Sequence, residues 1–161
     1  GQLNAASRRL EALAPNVKAV VADEMKMYLE QGEAAVGVTY SGEAREMMTV
    51  NHHLHYLVPS EGSNVWFDNL VIPKSARHKK AAYQFINFML EPRHAAQNAR
   101  YIGYATPVKQ AKRYLPAKVT SDPAFYPPKS EMRHLHAFKD LPLKTVGQYN
   151  DRFLEFKMVT R

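Results

Sequence analysis

At 161 residues, 45% hydrophobic and 23% charged, the chain has the size and composition of one globular domain or of a piece of a larger protein. The lack of cysteine excludes disulfides, thiolate metal sites and a cysteine nucleophile. The formal charge of +7 points toward an anionic partner, but the 22 Lys and Arg are scattered, with no basic run of five, which reads as solvated helix faces rather than a nucleic-acid footprint.

The stretch 4–14 has helical spacing, with Leu3, Leu10 and Leu13 on one side and Pro15-Asn16 as its stop. The valine-rich run 17–22 predicts a buried strand. Asp23 predicts an N-cap for a helix over 24–31, ended by Gly32. The run 34–40 (AAVGVTY) predicts a second buried strand, and Ser41-Gly42 turns the chain into a helix over 43–50. Helix, strand, helix, strand, helix is the alternation of an α/β sheet. Further strands are predicted over 55–58, closed by Pro59, and over 65–72 (VWFDNLVI), closed by Pro73. An amphipathic helix follows over 79–90, stopped by Glu91-Pro92, then a helix over 93–100, a bend at 103–107 and a helix to about 115. The proline-rich 116–128 reads as loop with one turn, and helices are expected over 131–138 and 146–157. No stretch of 18 apolar residues is present, so no spanning helix is predicted. The opening Gly1-Gln2-Leu3-Asn4-Ala5 reads like the middle of a chain.

No GxSxG, HExxH, Walker A or GxGxxG pattern occurs, so no catalytic residue and no cofactor is expected. Asp23-Glu24 and Glu43 are explained by capping and solvation. His53 and His55 would share one face of a strand, yet no carboxylate or cysteine nearby completes a metal set. His134 and His136, two apart on a predicted helix, would point to different faces. Trp66, the single tryptophan, lies two residues from Asp68, so alternation along a strand places both on one face. A ring beside a carboxylate suits an alkylamine: the ring covers methylenes and offers a cation–π contact, and the carboxylate accepts a charge-assisted hydrogen bond. A core tryptophan beside a capping aspartate fits the periodicity equally well. Tyr40 and Tyr104 each end an apolar element at a turn, where side chains often face a cleft.

The stretches VADEMKMYL, GVTYSGEA, VPSEGSNVWFDNLVIPKSA, AAYQFINFMLEPRHAAQNARYIGYATP and FLEFKM, in this order and spacing, resemble the spermidine/putrescine-binding proteins of bacterial ABC importers, with wording closest to Gram-positive members. The resemblance runs over nearly the whole chain. It implies an α/β, type II periplasmic-binding-protein-like fold of two lobes with the polyamine between them, delivery to an ABC permease, and no enzymatic activity. It places this chain as the C-terminal lobe plus part of the N-terminal one, with residues 1–66 and 117–161 in the C-terminal lobe and 67–116 crossing to the other. It also implies an extracytoplasmic location: a membrane-anchored cell-surface lipoprotein in Gram-positive bacteria, with the anchor upstream of this chain, or the periplasm in Gram-negative ones.

By the same resemblance, Tyr40 and Trp66 wall the polyamine, Asp68 pairs with an amine and Tyr104 lines the pocket. His136 stands near the place of a family Glu or Gln, a departure that bears on which polyamine is chosen. Family members are roughly twice as long, so the chain is expected to be a fragment with unpaired strand edges. Exchange of elements between two copies is one way to cover them. The net charge does not oppose a cationic ligand: one carboxylate in an aromatic cleft acts locally, while surface lysines are screened over about 8 Å. Another small amine or an amino acid is the alternative solute, and a basic nucleic-acid-binding domain is a further alternative from a different class.

Overall fold

The computed structural model describes residues 1–160. Its helices are α1 (Gln2–Leu13), α2 (Met25–Glu30), α3 (Ser41–Val50), α4 (Lys79–Leu90), α5 (Pro92–Ile102), α6 (Ala117–Thr120), α7 (Lys129–Met132) and α8 (Leu143–Val159), with 3-10 turns at Ala14–Asn16 and Lys109–Tyr114. The described strands are β1 (Ser63–Asn64) and β2 (Leu135–His136), paired in parallel with Ser63 opposite Leu135 and Asn64 opposite His136.

The chain forms two compact units. One takes residues 1–38 and the chain from Lys139 onward; the other is Thr39–Phe138. In the first, α1 packs against α8. Lys18 pairs with Glu33 at 2.6 Å and lies over the Tyr28 ring. Both charges are half exposed, so the pair adds little to stability.

The second unit holds a small core of Ala95, Ala96 and Ala99 from α5 with Ala111, Leu115, Val119 and Phe125. Three alanines on one face of α5 let the 3-10 turn at Lys109–Tyr114 come close, and Ala111 is fully buried there. Pro92 at the first helical position starts α5, and Gly103, in the left-handed conformation (φ 77°), ends it. On α3, Ala44 and Met47 are buried. Arg45, on the same helix, pairs with Asp122 at 2.9 Å and lies over the Phe125 ring.

Several expected elements take another form. The stretches 17–22, 34–40 and 55–58 join no ladder among the described residues, and in 65–72 Val65 alone continues the pairing, through its N–H to the His136 carbonyl. A run of β-branched residues becomes a strand only when a neighbour offers its N–H and C=O groups. Val21 is 43% exposed and Val38 is 97% exposed, so the runs 17–22 and 34–40 are not the buried strands expected. Asp23 does not cap α2: the residue before the helix is Glu24, and no side chain caps it. The helix expected over 131–138 stops at Met132. Beyond it, the carbonyls of His134 and His136 accept from Ser63 N–H (3.1 Å) and Val65 N–H (3.0 Å), so non-local pairing overrides the helical spacing. His136 therefore lies on a strand. The helix expected to about 115 is a 3-10 turn.

Candidate functional site

Three segments of the Thr39–Phe138 unit converge on Trp66. Tyr40 is the extended residue (φ −82°, ψ 150°) that leads into α3, and its carbonyl accepts the Ala44 N–H at 2.9 Å. Thr39 donates its hydroxyl to Glu43 at 2.8 Å, and that carboxylate lies in the first turn of α3, where the helix dipole favours negative charge. Tyr104 follows the left-handed Gly103 at the end of α5. Trp66 follows Val65, whose N–H is held by His136.

The Tyr40 and Trp66 rings meet edge to face with centroids 4.8 Å apart, and Trp66 meets Tyr104 in the same way at 5.5 Å. Trp66 is 38% exposed and Tyr40 is 53% exposed, so the cluster has a solvent face. Edge-to-face pairs add about 0.5–1.5 kcal/mol each beyond area burial. Such a cluster offers electron-rich faces to a cation and apolar surface to a hydrocarbon chain.

Two glycines make the cluster possible. A Cβ on Gly42 would lie 2.4 Å from the Tyr104 ring, so any side chain there must push the ring away. Gly103 needs its positive φ, and its Cβ position lies against the Gly42 carbonyl at 3.4 Å. In the sequence Gly42 reads only as a turn into a helix; its contact with Tyr104 is non-local and leaves no local signal.

The other two expected residues, Asp68 and His136, are both exposed. Asp68 has no hydrogen-bond or ion-pair partner among the described residues. It lies two residues beyond Trp66 on a stretch outside the described strands, so no ladder fixes its face. His136 reaches the cluster through its backbone alone; its ring makes no ring contact or hydrogen bond among the described residues. His53 and His55 share no strand, and among the described residues no three His, Asp or Glu side chains gather as a metal set.

Residues 3–127 match the family model described as bacterial extracellular solute-binding protein. The chain belongs to that family. It is a solute-binding family and not an enzyme class. A solved spermidine/putrescine ABC transporter substrate-binding protein, PotD from Streptococcus pneumoniae, is 50% identical and superposes with a TM-score of 0.91 over 99% of this chain and 50% of its own. The spermidine/putrescine-binding periplasmic protein of Salmonella typhimurium is 35% identical over 126 residues, which are 78% of this chain and 36% of the relative. The putrescine/agmatine-binding protein of Pseudomonas aeruginosa is 34% identical over 72% of this chain and 33% of its own length. The chain thus shares the periplasmic-binding-protein-like α/β fold expected from its sequence, and it spans about a third to a half of the length of these relatives. Among the described residues no helix is long and apolar enough to cross a membrane.

Proposed function

We propose that this chain takes part in binding a polyamine, spermidine or putrescine, outside the cytoplasm and in its delivery to the permease of an ABC importer. The observation that carries this reading is the meeting of Tyr40, Trp66 and Tyr104 around the single tryptophan, with Asp68 two residues away and free to pair. Relatives whose names specify spermidine, putrescine or agmatine support the ligand class. The rings take the methylene chain and Asp68 takes an ammonium; His136, beside Asn64 on the ladder, adjusts which amine is accepted. Agmatine, named for one relative, favours another small amine as the second reading.

The proposed arrangement is that of a two-lobed receptor that closes on its ligand. In it, residues 1–66 and 117–161 belong to the C-terminal lobe and 67–116 cross to the N-terminal lobe. The compact units of this chain divide elsewhere, before Thr39 and after Phe138; packing within one chain and lobe membership in a longer protein are different divisions. A lipid anchor at the cell surface is part of the proposal for a Gram-positive source.

Asp68→Asn is expected to weaken putrescine binding by about 1.5–3 kcal/mol, the scale of a hydrogen bond to a charged group. Equilibrium dialysis with labelled putrescine measures this, and an unchanged affinity removes Asp68 from the site. The exposed Phe67, Leu70 and Val71 on an unpaired stretch also favour exchange of elements between two copies. Sedimentation is expected to show a dimer; a single monomeric species excludes the exchange.

A further inference from the structure

A cavity of about 470 Å³ lies in the Thr39–Phe138 unit, and none of the three clustered rings lines it. Its volume is that of a small-molecule site. Met48, Leu57, Val58 and Pro123 give it apolar walls. Apart from Thr49, whose hydroxyl donates to the Glu46 carbonyl at 2.6 Å, its polar groups fall into two sets. Arg45 and Asp122 satisfy one another: the guanidinium donates to Asp122 Oδ2 at 2.9 Å, and Asp122 Oδ1 accepts the Ala124 N–H at 2.9 Å. Glu131, His55 and Tyr56 also line the cavity, and their side chains have no hydrogen-bond or ion-pair partner among the described residues. Burial raises the Tyr56 phenol above its ordinary pKa, so it remains a neutral donor.

The charges then decide the ligand. Arg45 and Asp122 cancel, which leaves the Glu131 carboxylate without an ion-pair partner among the described residues, in a cavity that also has apolar lining. We propose that this cavity is a second ligand site, distinct from the aromatic cluster, that takes a small monoamine with a hydrocarbon body. The ammonium pairs with Glu131, Tyr56 and His55 supply further polar contacts, and the body lies on Leu57, Val58 and Met48. A diamine fits less well, because the walls offer no second unpaired carboxylate.

The test is calorimetric titration of the intact chain with cyclohexylamine, and with cyclohexanol as its uncharged counterpart. Saturable binding of cyclohexylamine is expected, with cyclohexanol at least about tenfold weaker. Glu131→Gln is expected to weaken cyclohexylamine binding at least about tenfold, as loss of a charge-assisted hydrogen bond does. The substitution is nearly isosteric and breaks no contact of the described fold, and an unchanged urea midpoint verifies that. Binding should survive Trp66→Ala, which removes the other site. Absence of saturable binding, equal binding of cyclohexanol, full affinity in Glu131→Gln or loss of binding in Trp66→Ala each overturns the proposal. Because the readout is a monoamine, failure here leaves the polyamine reading intact, and failure of that reading leaves this site intact.

Discussion

Trp66→Ala is expected to weaken spermidine binding by about 2–4 kcal/mol, or about 30- to 1000-fold, the range of an aromatic anchor that its ligand covers. Trp66 is the middle ring of the three. It meets Tyr40 with centroids 4.8 Å apart and Tyr104 with centroids 5.5 Å apart. Its loss therefore removes the broadest cation-binding face and leaves both tyrosines without their shared partner. Tyr40→Ala, which deletes one outer contact, should cost less. Trp66→Phe should keep part of the affinity, because a smaller ring still covers methylenes. Equilibrium dialysis with labelled spermidine ranks the three variants. If Trp66→Ala binds as well as the parent, Trp66 is a packing residue and the proposed clamp is wrong.

The second large effect is on stability. Phe125→Ala is expected to destabilise the Thr39–Phe138 unit by about 3–5 kcal/mol, the range for emptying an aromatic core position. Phe125 is 4% exposed, and its ring meets Tyr126 edge to face at 5.1 Å and carries the Arg45 guanidinium at 4.7 Å. The core around it consists mainly of alanines, which offer few side-chain torsions to close a void. Loss of the ring also removes a support of Arg45 and hence of the Arg45–Asp122 pair. Urea unfolding followed by circular dichroism measures the change. A loss below about 1 kcal/mol would show that the site collapses and that Phe125 is not a core anchor.

Helices were the legible part of the sequence. Glu91-Pro92 marks the break between α4 and α5, and Gly103 marks the end of α5, because both act through local backbone geometry. Strands were legible only as apolar runs. The residues 65–72 have the composition of a strand, but a ladder depends on a partner that composition does not specify. The pairing of Leu135–His136 with Ser63–Asn64 leaves no local signal for the same reason, and the helical spacing of the sequence continues past Met132, where the helix itself ends.

The candidate site was legible to different degrees. Trp66 and Asp68 stood out because a ring near a carboxylate is uncommon chemistry on a strand-like segment. Tyr40 and Tyr104 were marked by their turns and by the family resemblance; that both meet Trp66 is a tertiary fact. Gly42 could not be found, since the Tyr104 ring that demands it lies far along the chain. The cavity at Glu131 could not be found either. Its walls come from α3, from the run 55–58, from the proline-rich stretch read as loop and from Glu131 on α7, and only folding sets them around one space.

The most direct test uses Trp66 as its own reporter. Its fluorescence is followed at constant ionic strength while spermidine, putrescine, a neutral solute and an acidic solute are added in turn. The expected result is a saturable change with the two polyamines alone, weakened in Asp68→Asn. No saturable change with either polyamine, an equal response to the neutral or acidic solute, or a polyamine response untouched by Asp68→Asn would contradict the proposal that Trp66 and Asp68 hold a polyamine.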